Sequence, residues 1–80
     1  MTKIVMYSAK NCSLCEKAKE VINAVRQKKN FNFTVVDIYD SGVKDHLRFK
    51  FDIPVITANG KLLAKHTITA EEINSFLDSQ

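Results

Sequence analysis

The sequence predicts an α/β domain in which helices flank a four-stranded mixed sheet, with the element order β-α-β-α-β-β-α. Two observations predict this class. In the first half of the chain, short apolar runs alternate with a stretch of helical periodicity, which is typical of parallel strands joined by a helix. In the second half, Asn59-Gly60 separates two apolar runs and is a strong signal for a tight hairpin. The last two strands are therefore expected to be antiparallel neighbours.

The first half of the chain has the pattern of a strand, a helix and a second strand. Lys3–Tyr7 is a continuous apolar run, which predicts an internal strand buried on both faces. Apolar residues then recur at the spacing of one helical stripe, at Leu14, Ala18, Val21, Ile22 and Val25. The helix is expected to end near Gln27–Lys29, and the mostly alternating pattern of Phe31–Ile38 predicts the second strand. A unit of this length implies a right-handed crossover and parallel pairing of the two strands.

Two residues are candidates for the cap of this first helix. Ser13 with Glu16 fits a capping box, in which each side chain bonds a backbone N–H at the start of the helix. A cap at Asn11 would instead bring Cys12 closer to the exposed N–H groups. The sequence leaves both alternatives open.

A short second helix is predicted before the hairpin. It opens at Asp40-Ser41-Gly42 and stops at Asp52-Ile53-Pro54, because the residue before a proline disfavours helical backbone. The hairpin strands follow at Val55-Ile56 and Lys61–Ala64. The inner face of the short helix is expected to carry Val43, Leu47 and Phe51.

The last helix has a clear start signal. Thr69 and Glu72 form a capping box, and Ile68 and Ile73 occupy the positions of a hydrophobic staple. The face turned to the core is expected to carry Ile73, Phe76 and Leu77.

Length and composition narrow the class of protein. The 80 residues suit one small domain over residues 1–80. Lys and Arg number 12 against 9 Asp and Glu, but these cations are spread along the chain without an aromatic platform, so no nucleic-acid partner is expected. No stretch approaches the roughly 20 apolar residues that span a bilayer, and the first residues lack the apolar core of a secretory signal. We expect a cytoplasmic monomer that does not bind membranes.

The two cysteines carry the chemistry. Cys12 and Cys15 are the only cysteines and fall between the first strand and the first helix. In a reducing compartment, a lone pair with this spacing favours redox or metal chemistry over a structural disulfide. At a helix N-terminus, free N–H groups and the helix dipole favour an anion, so the pKa of the Cys12 thiol is expected to lie below that of a free thiol. Cys15, nearly one turn later and less exposed, is close enough to attack a mixed disulfide formed at Cys12.

These residues resemble a known family. Tyr7-Ser8 before Cys12-x-x-Cys15, Ala18-Lys19 after it, and Ile53-Pro54-Val55 before the hairpin are similar to glutaredoxins, which have a thioredoxin-type fold. The variant Cys12-Ser13-Leu14-Cys15-Glu16 is particularly similar to small glutaredoxin-like bacterial proteins. The resemblance covers essentially the whole chain. This chain differs from glutaredoxins in one respect: it lacks the proline that they usually carry between the two cysteines.

The resemblance implies a thiol–disulfide oxidoreductase. In this interpretation, Cys12 is the attacking cysteine and Cys15 the resolving one, and they alternate between a dithiol and a redox disulfide. Pro54 is expected to be a cis-proline that faces them. The backbone of Ile53 is expected to pair with an extended substrate as a short antiparallel strand.

The resemblance also implies the partners. The substrate would be a protein or small molecule that contains a disulfide, no cofactor would be bound, and glutathione or a flavin-dependent reductase would supply electrons. From its position two residues before Cys12, Lys10 is a candidate to support the thiolate and to meet anionic substrates, and the alternative is a solvated loop lysine. Glutaredoxins hold the γ-glutamyl end of glutathione at a glycine pair and an acidic residue after the last strand, where this chain has His66-Thr67-Ile68-Thr69. Only Thr69, with the free N–H groups of the last helix, is expected to offer anion contacts there.

A metal-binding module is the alternative. Cys12 and Cys15 would then hold zinc with His46 and His66, or share an iron–sulfur cluster between two chains. The long gap between Cys15 and His46 matches no usual zinc spacing, so redox chemistry is preferred. In that preferred reading, both histidines are predicted to be surface residues.

Overall fold

A four-stranded mixed sheet forms the centre of the fold. The computed structural model describes residues 2–40, 42 and 44–79. The strands are β1 (Lys3–Ser8), β2 (Asn32–Asp37), β3 (Val55–Ala58) and β4 (Lys61–Lys65), in the spatial order β2-β1-β3-β4. β1 pairs with β2 in parallel, while β3 is antiparallel to both β1 and β4. The predicted mixed sheet and order of elements are thus confirmed.

Two α-helices cover one face of this sheet. They are α1 (Ser13–Arg26) and α2 (Ala70–Asp78). Side chains from both helices share one apolar core with β1 and β3, and its fully buried members are Ile4, Met6, Ile22, Ile56, Ala58 and Ile73. Among the described residues, neither α-helix has the length and apolar character that a bilayer crossing requires.

The predicted helical stripe is largely confirmed in α1. Ala18, Ile22 and Val25 are buried against the sheet, as the spacing of apolar residues predicts. Leu14 is the exception, because its side chain remains 42% exposed in the first turn of the helix. Cys15, which the stripe does not include, is buried instead.

The second helical segment forms where predicted, but it is a 3₁₀ helix over Lys44–Phe49. In a 3₁₀ helix, residues three apart share a face, so His46 and Phe49 point the same way. Their rings contact Tyr7 on the second face of the sheet, with centroids 5.0 Å and 4.8 Å from the tyrosine ring.

The inner face predicted for this segment was wrong. Leu47 is exposed and Phe51 is 84% exposed, because the 3₁₀ spacing places His46 and Phe49 against the sheet instead. Val43 lies outside the described residues.

The prediction that β1 is buried on both faces was also wrong. Ile4, Met6 and Ser8 are buried beneath the two α-helices, but Val5 and Tyr7 on the opposite face are only half-buried. The short 3₁₀ helix packs on Tyr7 and covers that face only in part.

The turn and cap signals of the second half are confirmed. Asn59 and Gly60 connect β3 and β4 with φ angles of 51° and 84°, as a type I′ hairpin requires. Thr69 caps α2 with a complete capping box to Glu72. Ile68 is buried in the core at the entrance to this helix.

Candidate active site

Cys12 itself caps the first helix. Its backbone is extended, with φ −106° and ψ 104°, and its Sγ accepts a hydrogen bond from the N–H of Cys15 at 3.1 Å. The expectation of a cap at Asn11 or Ser13 was therefore wrong. Asn11 instead has a left-handed φ of 61° and turns the chain, while Ser13 is already the first helical residue. A sulfur thus occupies the position where a helix start favours negative charge.

The two cysteines are joined by a disulfide, with their Cα atoms 5.2 Å apart. Their surroundings differ. Cys12 is half-buried and lines an open surface groove with Asn11, Ser13 and Glu16. Cys15 is only 2% exposed and belongs to the apolar core. Cys12 is therefore the more accessible cysteine of the pair, and Cys15 is enclosed by the core.

The loop that precedes β3 reaches the same edge of the sheet. Tyr7 pairs with Val55, and β3 runs antiparallel to β1. Pro54 therefore lies at the level of Ser8, where the chain leaves β1 towards Cys12. The bond between Ile53 and Pro54 is cis, as the resemblance implied. Pro54 is buried, whereas Ile53 is half-buried against the core.

Lys10 lies on the loop between β1 and Cys12. Its Nζ is 3.8 Å from a carboxylate oxygen of Asp40, and both side chains are largely exposed. Asp40 is held by Asp37, whose Oδ1 accepts hydrogen bonds from the N–H groups of Tyr39 and Asp40 at 2.9 Å and 3.3 Å. Lys10 is thus two residues from Cys12 in the sequence, and the carboxylate of Asp40 partly neutralises its positive charge.

Thr69 has its polar groups engaged within the chain. Its N–H donates to Glu72 Oε1 at 3.1 Å, and its Oγ1 accepts from the Glu72 N–H at 3.2 Å. The carboxylate of Glu72 therefore already occupies the place where an external anion was expected to meet Thr69.

The two histidines lie in different surroundings. His46 packs its ring on Tyr7, and His66 places Nε2 3.3 Å from Asp52 Oδ1. Across residues 2–40, 42 and 44–79, no three His, Cys, Asp or Glu side chains are grouped as ligands of one metal ion. The zinc set of the alternative interpretation is therefore not brought together.

Sequence reasoning missed the role of His66 in the loop of Ile53 and Pro54. The backbone N–H of His66 donates to the carbonyl oxygen of Pro54 at 2.8 Å, and its φ is 72°. No pattern in the sequence predicts a left-handed histidine. The partner residues lie 12 and 14 positions earlier, so only the sheet brings them together.

The sequence matches the family described as Glutaredoxin-like domain (DUF836) over residues 3–78. This match includes both cysteines, the cis-proline and all four strands. The chain belongs to this family. Both cysteines of this glutaredoxin-like domain lie within the matched residues.

Solved structures share the fold of this glutaredoxin-like domain. Protein XcR50 of X. campestris superimposes with a TM-score of 0.75 at 22% identity, covering 96% of this chain and 97% of that one. Protein Ne2328 of Nitrosomonas europaea gives 0.73 at 21% identity, covering 94% and 89%. A malaria parasite protein described as thioredoxin-2, a component of the protein secretion machinery, gives 0.69 at 17% identity, covering 100% and 84%. These TM-scores indicate a shared thioredoxin-like fold.

Proposed function

We propose that this domain is a thiol–disulfide oxidoreductase that reduces disulfides by dithiol exchange through Cys12 and Cys15. The observation that supports this function best is the unequal exposure of the two bonded cysteines. Cys12 lines an open groove and caps α1, while Cys15 is buried behind it. A purely structural disulfide has no need of one accessible sulfur at a helix N-terminus.

The reaction starts from the reduced dithiol. The Cys12 thiolate attacks one sulfur of the substrate disulfide, whose S–S bond breaks and releases a thiolate. Cys15 then loses its proton and attacks Sγ of Cys12 in the mixed disulfide. The second substrate thiolate leaves as the Cys12–Cys15 bond forms, and both released thiolates take up protons. Two electrons and two protons pass from the dithiol to the substrate.

The start of α1 supports the attacking thiolate. The N–H of Cys15 donates to Sγ of Cys12 in the oxidised protein, at 3.1 Å. The same donor and the positive end of the helix dipole would stabilise a negative sulfur in the reduced protein. Lys10 adds a cation on the adjoining loop, and it is our candidate contact for an anionic group of the substrate.

The substrate is a protein or a small molecule that carries a disulfide. We propose that an extended substrate pairs with the backbone of Ile53, beside the cis-proline, because added strands bind through main-chain hydrogen bonds. Glutathione or a flavin-dependent reductase then reduces the Cys12–Cys15 bond. We place the reaction in the cytoplasm, where the glutathione and thioredoxin systems keep dithiols reduced.

Substitution of each cysteine tests these roles. Cys12→Ser should abolish disulfide reduction, because no accessible sulfur remains. Cys15→Ser should accumulate a mixed disulfide at Cys12, visible by mass spectrometry as the protein plus one substrate thiol. Ser75→Ala, at an exposed serine of α2, is the control and should retain activity. Equal activity of the two cysteine variants would contradict the proposed function.

The electron source needs a separate measurement. The oxidised protein is mixed with reduced glutathione, or with NADPH and a flavin-dependent thioredoxin reductase, and the free thiols are counted over time. The faster system at matched reductant concentrations identifies the physiological class of reductant. A failure of both systems to reduce the disulfide would contradict the proposed reaction cycle.

A further inference from the structure

His66 bonds to both neighbours of Ile53. Its backbone N–H donates to the carbonyl oxygen of Pro54 at 2.8 Å. Its Nε2 lies 3.3 Å from Oδ1 of Asp52. Ile53 itself takes part in none of the turn and loop backbone hydrogen bonds between described residues. His66 thus holds the loop on both sides of Ile53, whose backbone groups stay free to form hydrogen bonds.

The other contacts of this loop leave Ile53 between two anchors. The N–H of Asp52 donates to the carbonyl oxygen of Phe49 at 2.8 Å, which ties it to the end of the 3₁₀ helix. Val55, after the proline, is already paired with Lys65 in the sheet. The side chain of Ile53 packs against the core. The backbone N–H and C=O groups of Ile53 are therefore held in position before a substrate strand binds.

The backbone conformation of His66 indicates that a histidine side chain is needed at this position. Its φ of 72° lies in the left-handed region, which glycine adopts freely and histidine does not. Non-glycine residues kept in this region cluster at functional sites. If this position only turned the chain from β4 into α2, glycine would suit it better than histidine.

The contact with Asp52 is too exposed to matter much for global stability. The side chains of His66 and Asp52 are 53% and 39% exposed, and ion pairs at such positions contribute little to folding. Their effect is expected on the local geometry of the loop that they join.

We propose that His66 is a positioning residue that holds the Ile53 backbone ready to pair with extended polypeptide disulfides. This inference rests on the proposed function and deepens it, since it names the class of substrate whose reaction depends on the contacts of His66. A peptide pairs with the Ile53 backbone and therefore depends on the position of the loop. A small disulfide needs only an accessible Cys12 and does not.

Single-turnover kinetics test this role. The reduced protein is mixed with an unstructured peptide that contains one disulfide, or with bis(2-hydroxyethyl) disulfide, and its own oxidation is followed by alkylation and mass spectrometry. His66→Gly removes the side chain and accepts the left-handed backbone. It should slow oxidation by the peptide about two- to fivefold, which lies within the range of an exposed side-chain contact, and leave the small disulfide unaffected.

Two further variants separate positioning from folding. His66→Gln places an amide nitrogen at about the reach of the histidine Nε2, where it can donate to Asp52, so it should restore most of the rate with the peptide. Asp52→Ala should slow the peptide reaction as His66→Gly does, and the double variant should be no slower than either. Thr67→Ala, a neighbouring exposed residue, is the control and should behave as the wild type.

The outcomes distinguish this inference from the proposed function. If His66→Gly and Asp52→Ala change both disulfides equally, or change neither, the positioning role is wrong while the dithiol chemistry stands. If the reduced wild type reacts with neither disulfide, the proposed function itself is wrong, and the positioning role falls with it.

Discussion

Replacement of Thr69 by alanine tests whether this residue serves the fold or meets an anion. The hydroxyl of Thr69 accepts a hydrogen bond from the N–H of Glu72 at 3.2 Å. Alanine removes that acceptor and leaves one N–H at the start of α2 without its partner. The hydrogen bond from the Thr69 N–H to Glu72 Oε1 stays available, because it uses the backbone.

The expected loss of stability follows from this geometry. Replacing a threonine cap by alanine costs about 1 kcal/mol. An unfolding entropy of about 2.1 cal/mol/K per residue gives roughly 0.17 kcal/mol/K for a chain of 80 residues. The Tm of Thr69→Ala should therefore fall by about 6 °C.

Thermal unfolding of the oxidised protein, followed by circular dichroism, measures this change. Thr69→Ser keeps the hydroxyl and should retain most of the Tm, and Thr67→Ala alters an exposed threonine in the same connection and should leave it unchanged. The rate of disulfide reduction by glutathione is measured on the same variants below their Tm. An unchanged Tm with slower reduction by glutathione would refute the capping argument and support an anion contact at Thr69.

The remaining predictions concern the hairpin and the second α-helix. Gly60→Ala should lower the Tm by about 6 °C, because a residue with a side chain at φ 84° costs about 1 kcal/mol and no neighbouring atom crowds the new methyl group. Lys61→Ala, in extended backbone, is the control, and an equal loss there would contradict the backbone explanation. Asn74→Leu should raise the free energy of unfolding by about 1 kcal/mol in urea, because Oδ1 of Asn74 is buried without a hydrogen-bond partner among the described residues. A lower urea midpoint would show that the amide contributes more than this acceptor costs.

Local patterns were sufficient to predict most elements and the position of the two cysteines. The turn at Asn59-Gly60, the cap at Thr69 and the stripe of α1 each depend on residues a few positions apart, whose geometry is set by the backbone of one turn. The placement of Cys12 and Cys15 between a strand and a helix follows from the same local signals. The cis form of the bond before Pro54 came from the family resemblance, since few bonds of this kind are cis.

The second helix shows where local patterns were insufficient. Residues Val43, Leu47 and Phe51 have α-helical spacing, but Tyr7 on the second face of the sheet contacts His46 and Phe49 in a 3₁₀ helix. The choice between the two spacings depends on a partner far away in the sequence, so propensity within the segment does not decide it.

The sequence by itself determined the order of the elements and the pair of cysteines at the start of α1, because residues close together in the chain specify these features. The tertiary structure decided that Cys15 is buried while Cys12 stays accessible, and that His66 joins Asp52 and Pro54 across the sheet edge. Burial and such contacts arise between segments that only folding brings together. For that reason, the unequal exposure of the two cysteines and the contacts of the loop around Ile53 could not be predicted from local patterns.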